Sequence, residues 1–257
     1  MFKTDNYKNK TVVITGGTKG IGLGITKAYL SLSANVIILA RNKPKKQIQV
    51  KGNKALFYQC NVRDNPNVEE VINEVFKANK CIDVLINNAG GAPLINSLDA
   101  SMNFNNAIID LNLNSSFAVS YYVAKKMIKK SSGCVITNIS SVTATRPTPG
   151  SAAYGAAKGG LVNLTKTLAV EWAPRIRVNS IITGYIETEN SLLHYGSKKD
   201  MKAVAKTIPM KRMGTPEDIA NACIFLSSAN SSWITGTAIE VHGGGESPAY
   251  LNSAKPK

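Results

Sequence analysis

Tyr154 and Lys158 stand four residues apart in Tyr154-Gly155-Ala156-Ala157-Lys158. On a helix that spacing puts both side chains on one face. A phenol beside an ammonium is an acid–base device. Free tyrosine titrates near a pKa of about 10, and a neighbouring cation favours the phenolate and draws the value toward the working range. Ser141 follows the apolar run Cys134-Val135-Ile136-Thr137-Asn138-Ile139 and precedes Tyr154 by thirteen residues. A hydroxyl at the end of a strand can face the same cleft and hold a substrate oxygen. Asn112, within Leu111-Asn112-Leu113-Asn114, completes a set of four. Tyr-x-x-x-Lys alone is a common pattern whose usual meaning is a surface tyrosine packed on a lysine stem. Its weight here comes from what lies upstream.

Thr11-Val12-Val13-Ile14-Thr15 is a β-branched run that enters Gly16-Gly17-Thr18-Lys19-Gly20-Ile21-Gly22-Leu23-Gly24. The apolar positions Ile21, Ile25, Ala28, Tyr29 and Leu32 follow at helical spacing. The pattern predicts strand, tight turn, helix. Gly16 permits the turn, and Gly20 and Gly22 let a pyrophosphate approach backbone N–H groups at a helix N-terminus, where the dipole favours anions. The spacing Thr-Gly-x-x-x-Gly-x-Gly is a variant of the dinucleotide fingerprint rather than Gly-x-Gly-x-x-Gly.

Strand-like segments near 11–15, 35–40, 54–60, 82–87, 133–139, 176–182 and 237–242 alternate with helix-like ones, including long helices over 101–130 and 152–174. Alternation of this kind predicts an α/β domain, a parallel sheet with helices on both faces. At 257 residues one sizeable core suffices. No linker, low-complexity stretch or internal repeat divides the chain. No apolar run reaches the roughly 20 residues of a membrane span, and Met1–Tyr7 lacks an apolar signal core, so a soluble cytoplasmic protein is expected. Cys60, Cys81, Cys134 and Cys223 form no Cys-x-x-Cys pair, and His194 and His242 lie far from them. Reduced core thiols are expected, with no metal site and no disulfide.

Taken together the motifs resemble the short-chain dehydrogenase/reductase family, from about Lys10 to Gly244. Thr15 to Gly22 matches that family's cofactor loop, with Gly16, Thr18, Lys19, Gly20, Ile21 and Gly22 as cofactor contacts. Val84-Leu85-Ile86 runs into Asn87-Asn88-Ala89-Gly90, the family's Asn-Asn-Ala-Gly motif, in which Asn88, Ala89 and Gly90 line the adenosine side while the motif steadies the sheet. Asn112, Ser141, Tyr154 and Lys158 stand in family order. The resemblance implies a single-domain, Rossmann-type doubly wound sheet of about seven strands spanning 1–257. It also implies hydride transfer from a nicotinamide cofactor. Tyr154 gives the proton, and Ser141 holds the same oxygen. Lys158 binds the nicotinamide ribose and lowers the tyrosine pKa, and Asn112 holds a water for proton resupply. A homotetramer built on the last strand and helix and on the two long helices is implied as well.

Cofactor choice is set where the second strand ends. An NAD-binding member places an acid there for the ribose hydroxyls. This chain has Ile38-Leu39-Ala40-Arg41-Asn42. Arg41 offers a planar fork for a 2′-phosphate, and in the family basic residues at Arg41 and Lys19 mark NADP preference, so NADP(H) is the expected cofactor. Asn61 and Val62 are expected to flank the adenine, although the family usually has Asp where Asn61 stands. After Ile176–Ile182 the family has Pro-Gly, whereas this chain has Thr183-Gly184. Proline would have set φ and removed an N–H, so a modest effect on nicotinamide seating is expected. Gly184, Ile186 and Thr188 match cofactor-contacting positions. Tyr185 to Met213 is the expected substrate lid, with Leu192, Leu193, Tyr195 and Met201 as substrate contacts or ordinary packing and His194 as surface.

The net charge is +15, and residues 1–60 carry eleven Lys and Arg against one acid, Asp5. Such a field attracts a polyphosphate cofactor or a phosphorylated carrier, and a lysine-rich solvated surface explains it equally. Nothing matches a nucleic-acid reader. Among family members the general look is of 3-oxoacyl-(acyl-carrier-protein) reductases. Lys129, Lys130 and Arg175 fall where those present charge to an acidic carrier, so acyl carrier protein is one implied partner and an acyl thioester or small molecule the substrate. Cys60-Asn61-Val62-Arg63-Asp64, Gly90-Gly91 and Glu171-Trp172 are similar to 2-enoyl- and 2,4-dienoyl-CoA reductases. Those relatives typically depart from Ser-Tyr-x-x-x-Lys, which favours carbonyl reduction here. A sugar, steroid or small-alcohol dehydrogenase is a third option. A catalytically idle NADPH sensor or scaffold is a fourth, one with no need of the complete tetrad.

Overall fold

The structure, a computed structural model, describes residues 7–129 and 133–246. The β-branched run forms strand β1 (Thr11–Thr15), buried along its whole length, as a central parallel strand covered on both faces must be. The glycine turn leads into α1 (Gly20–Ser31), and the next apolar run is β2 (Asn35–Ala40). The single strand expected over 54–60 is divided. A hairpin of β3 (Gln49–Val50) and β4 (Asn53–Lys54) precedes β5 (Leu56–Gln59). Its turn, Lys51-Gly52, takes φ of +49° and +82°, the doubly positive geometry that a tight two-residue hairpin turn favours.

Helix α2 (Asn65–Asn79) is capped by Asp64, whose side chain accepts from the Asn67 N–H. Strand β6 (Val84–Asn87) then enters the Asn-Asn-Ala-Gly segment. The long helix expected over 101–130 is α3 (Met102–Ile109), a π turn over Asp110–Asn114, and α4 (Ser115–Met127). Strand β7 (Cys134–Ser141) ends on Ser141 itself. Helix α5 (Ala152–Trp172), strand β8 (Ile176–Thr183), the short helices α6 (Ser191–Tyr195) and α7 (Lys198–Thr207), helix α8 (Pro216–Ser227) and strand β9 (Ala238–Val241) complete the described chain. Thr215 and Asp218 form a reciprocal capping box at the start of α8, with Pro216 in the first turn, where its missing N–H costs nothing.

Seven strands form one sheet in the order β5-β2-β1-β6-β7-β8-β9, every pairing parallel. The chain winds outward from β1 in one direction through β2 and β5, then returns to build the other half from β6. The reversal lies between β1 and β6, where an open α/β sheet leaves a crevice at its carboxyl edge. Each face carries its own core. On one, Val13, Leu85, Ile136 and Val178 pack against α2, α4 and α5. On the other, Ile14, Ile38 and Ile86 pack against α1 and α8. This is the doubly wound single domain that the alternation of elements predicts. Cys60, Cys134 and Cys223 are buried and Cys81 is half-buried. Among the described residues no helix is long and apolar enough to cross a membrane.

Candidate active site

Ser141 at the end of β7 and Tyr154 on the first turn of α5 face each other closely enough for the serine hydroxyl to act on the phenol, lowering its pKa. The Ser141 hydroxyl also accepts the Thr143 N–H at 3.3 Å, which starts a single 3-10 turn and aims the side chain off the sheet edge. Four residues along α5 from Tyr154, the Lys158 ammonium lies 5.6 Å from the phenol ring centre and donates to the Ile139 carbonyl at 2.8 Å. Lys158 is 3% exposed. The fourth member, Asn112, is fully buried in the π turn between α3 and α4. Its Oδ1 accepts the Gly91 N–H at 2.8 Å, and its Nδ2 donates to the Gly91 and Ile108 carbonyls at 3.1 and 2.9 Å. A Cβ on Gly90 would lie 2.6 Å from Asn112 Oδ1 and 3.3 Å from Lys158 Nζ. The glycine therefore lets the β6 loop pass directly over both polar groups. The four residues and Gly90 are brought to one place by β6, β7, the π turn and α5.

The electrostatics differ from the sequence expectation in one respect. Lys158 was expected to pull the Tyr154 pKa down. Instead, burial pushes the phenol up, opposed by the Ser141 hydroxyl. Burial also drives Lys158 down to about 8. An ammonium that is itself expensive to keep charged, and that is bonded to Ile139 rather than to the phenol, lends its neighbour little field. The Asn112 amide is likewise committed to Gly91 and Ile108, so its observed work is to fasten the loop carrying Gly90.

The dinucleotide-like segments converge on the adjoining edge. Gly16, at φ +67°, donates its N–H to the Leu39 carbonyl, which ties the loop to the end of β2 beside Arg41. The Thr15 hydroxyl accepts the N–H groups of Asn88 and Ala89 at 2.9 and 3.0 Å, and Asn88 Nδ2 returns to the Thr15 carbonyl at 3.0 Å. A Cβ on Gly22 would press into the Gly16 carbonyl and stand 2.5 Å from Asn88 Nδ2, so α1 begins as close to the loop as a chain can. Lys19 is the residue that caps α1, and its side chain makes no capping bond. A glycine-lined cradle with helix N–H groups at its floor fits a dinucleotide diphosphate. Gly16, Thr18, Lys19, Gly20, Ile21 and Gly22 would hold it from below, and Asn88, Ala89 and Gly90 from the side. The Cys60 N–H bonds the Ala40 carbonyl at 3.0 Å, which brings the Asn61-Val62 segment to the end of β2, where Arg41 follows. Val62, however, is 6% exposed and belongs to the core. The Asn61 carbonyl oxygens are used locally, by the Arg63 and Asp64 N–H groups.

At the other end of the cleft, Thr183 stands where the resembling family has proline. Its added hydroxyl donates to the Ser140 carbonyl at 2.9 Å, and β8 runs alongside β7 as far as Thr183. Gly184 is required by β9, because a Cβ there would come within 2.7 Å of His242 Cβ. Ile186 pairs with Gly214 in an isolated bridge that closes the root of the lid. Within the lid Leu192 and Leu193 are exposed, and Tyr195 packs edge-on against Tyr185 at 5.8 Å, its hydroxyl pushed up to about 12 by burial and by Tyr185 and Tyr154. His194 is at the surface, as expected. Lys129 is exposed, whereas Lys130 lies outside the described residues. Arg175 donates to the Ile128 carbonyl at 2.9 Å, finishing α4.

Two site neighbours have no counterpart in the sequence expectations. Arg146, five residues past Ser141, donates to the Tyr185 hydroxyl at 3.0 Å and to Glu246 at 2.5 Å. Glu189, just past Thr188, accepts the Gly20 N–H at 2.8 Å. Both bridge segments far apart in the chain, so no local pattern in the sequence points to either.

Residues 16–246 match a family model described as enoyl-(acyl carrier protein) reductase. A 3-oxoacyl-[acyl-carrier-protein] reductase of Chlamydia pneumoniae is 36% identical over 91% of this chain and 96% of its own length. A probable 2,4-dienoyl-CoA reductase of Bacillus subtilis is 35% identical over 92% and 96%. Among solved structures, an aldohexose dehydrogenase of Thermoplasma acidophilum superposes with a TM-score of 0.86 at 32% identity, covering 98% of this chain and 97% of that one.

Proposed function

Because the chain belongs to the short-chain dehydrogenase/reductase family, we propose that it is an NADPH-dependent reductase that turns a ketone, foremost a 3-oxoacyl thioester, into the hydroxy product in the cytoplasm. The observation that carries this reading is the gathering of Ser141, at the carboxyl edge of β7, with Tyr154 and Lys158 one helical turn apart on α5, the ammonium 5.6 Å from the phenol ring centre. The reduced nicotinamide, when bound, supplies the hydride that the carbonyl carbon takes up. The chain's own work is proton handling and placement. The Ser141 hydroxyl holds the carbonyl oxygen and stabilises negative charge as it forms. The Tyr154 hydroxyl gives that oxygen its proton. Burial keeps the phenol protonated at neutral pH, and protonated is the form that can give a proton, which suits reduction better than oxidation. Lys158, buried beneath Gly90, supports the ribose side. Arg41 and Lys19, exposed at the ends of β2 and the cofactor loop, supply the planar fork and the charge that a 2′-phosphate takes. The absence of an acid after β2 supports NADPH over NADH.

The relatives' names divide among carbonyl, enoyl and sugar chemistry at similar identity. The intact Ser-Tyr-x-x-x-Lys set is what favours the carbonyl. An enoyl thioester is the second reading, supported by the Bacillus subtilis relative's name. The test is NADPH oxidation with acetoacetyl-CoA and with crotonyl-CoA, each repeated with NADH. Turnover of acetoacetyl-CoA with NADPH is expected, falling at least about a hundredfold in Tyr154→Phe while NADPH binding persists. Turnover of crotonyl-CoA alone, or a Tyr154→Phe variant of near-normal rate, would overturn the assignment.

A further inference from the structure

One of the N–H groups at the start of α1 is already in use. Gly20 donates to Glu189 Oε1 at 2.8 Å, across 169 residues of sequence. The carboxylate comes from the root of the lid and is firmly presented. The Thr188 N–H bonds Ser191 Oγ at 2.7 Å, the Asn190 N–H bonds Thr188 Oγ1 at 3.3 Å, and the Ser191 N–H bonds the Thr188 carbonyl at 3.0 Å. The Glu187 N–H bonds the Gly214 carbonyl at 2.8 Å, and the Gly214 N–H bonds the Tyr185 carbonyl at 2.9 Å. Thr188 Cγ2 lies 3.6 Å from where a Cβ on Gly20 would stand. In a chain with thirty-one Lys and Arg, this carboxylate is bonded to a helix N-terminus rather than to a cation.

A carboxylate and a phosphate satisfy such a donor in the same way, as negative charge against the positive end of the helix. The geometry points to Glu189 as an internal competitor for the cofactor's diphosphate, a latch that holds the lid root on the cofactor loop until the dinucleotide displaces it. Cofactor binding and release of the latch are then two sides of one equilibrium, and weakening either partner strengthens the other. The inference rests on the reading that the chain binds a nicotinamide dinucleotide, and it is independent of the 2′-phosphate preference, because the diphosphate is common to NADH and NADPH.

The experiment is a fluorescence titration of NADPH and of NADH into the natural protein, Glu189→Ala and Glu189→Gln. Both variants should bind both cofactors about three- to tenfold more tightly. Unchanged or weaker binding in the variants would overturn the latch, because a carboxylate that merely steadied the lid could not raise affinity when removed. Equal gains for both cofactors in a protein that does not distinguish them would support the latch and remove Arg41 from the site. Absence of dinucleotide binding in all three proteins would overturn the latch together with the reading beneath it.

Discussion

At the scale of single residues, the site is governed by what burial does to two titrating groups. The phenol of Tyr154 is held above its ordinary value and the ammonium of Lys158 below its own, both chiefly by desolvation. The pair is therefore closer to neutral than its spacing alone implies. The lysine's cost has a definite pH signature. Between about 8, its value in the folded protein, and about 10.5, its value in the unfolded chain, the unfolded state holds a proton that the folded state has released. Stability from this group thus rises with pH through that window, and below it the folded state carries a buried charge. Replacing it with Met, of similar volume, removes the titration. Lys158→Met should gain stability relative to the natural protein at pH 7, with the gain shrinking by roughly 3 kcal/mol by pH 10.5. Denaturant unfolding of both proteins across pH 7 to 10.5 checks this, and parallel curves would show that Lys158 titrates normally.

Elements decide how closely those residues approach. The π turn at Asp110–Asn114 inserts one residue between α3 and α4 and so turns Asn112 toward Gly91 and Ile108, as such insertions often do at functional sites. Backbone-to-backbone contact does the same for the cofactor loop. Gly22→Ala would drive a methyl against the Gly16 carbonyl and Asn88, an overpacking cost of about 1–3 kcal/mol, and should lower the melting temperature and weaken NADPH binding together. Gly159→Ala in α5 is the control. Its Cβ would meet only the Ala144 carbonyl, at an ordinary 3.5 Å, and loss of glycine from a helix interior should stabilise by about 0.5–1 kcal/mol. Thermal melts with and without NADPH distinguish the two, and a Gly22→Ala protein that melts and binds normally would mean that the loop can open without loss.

For the whole molecule, the apolar residues left outside the two cores matter most. Phe117 and Tyr121 on α4, Val170 on α5, Phe225 on α8 and Trp233 remain exposed, Trp233 almost completely. They lie on or near the elements that the family resemblance assigns to subunit contacts, and a homotetramer would cover them. Light scattering should give the mass of four chains, and Phe117→Glu with Val170→Glu should shift it downward; an unchanged monomeric mass in the natural protein would remove the expectation. Much of this architecture was legible in the residues themselves. The β-branched runs at 11–15 and 35–40 became β1 and β2 with those bounds, and Tyr154 and Lys158 share a face of α5, because strand and helix periodicity are local properties of the chain. The hairpin before β5, the π turn and Thr183's bond to Ser140 were not legible, since each answers to a neighbour supplied by another part of the sheet. Nor were the pKa directions, because desolvation depends on everything packed around a group, whereas spacing reports only one neighbour. By itself the sequence determined the fold class and the order of the motifs along the chain. The tertiary structure alone decided that Lys158 gives up charge to burial, that Asn112 is a fastener for Gly91, and that Glu189 meets Gly20 across the cleft, because contacts between distant segments exist only once the sheet has brought its strand ends to one edge.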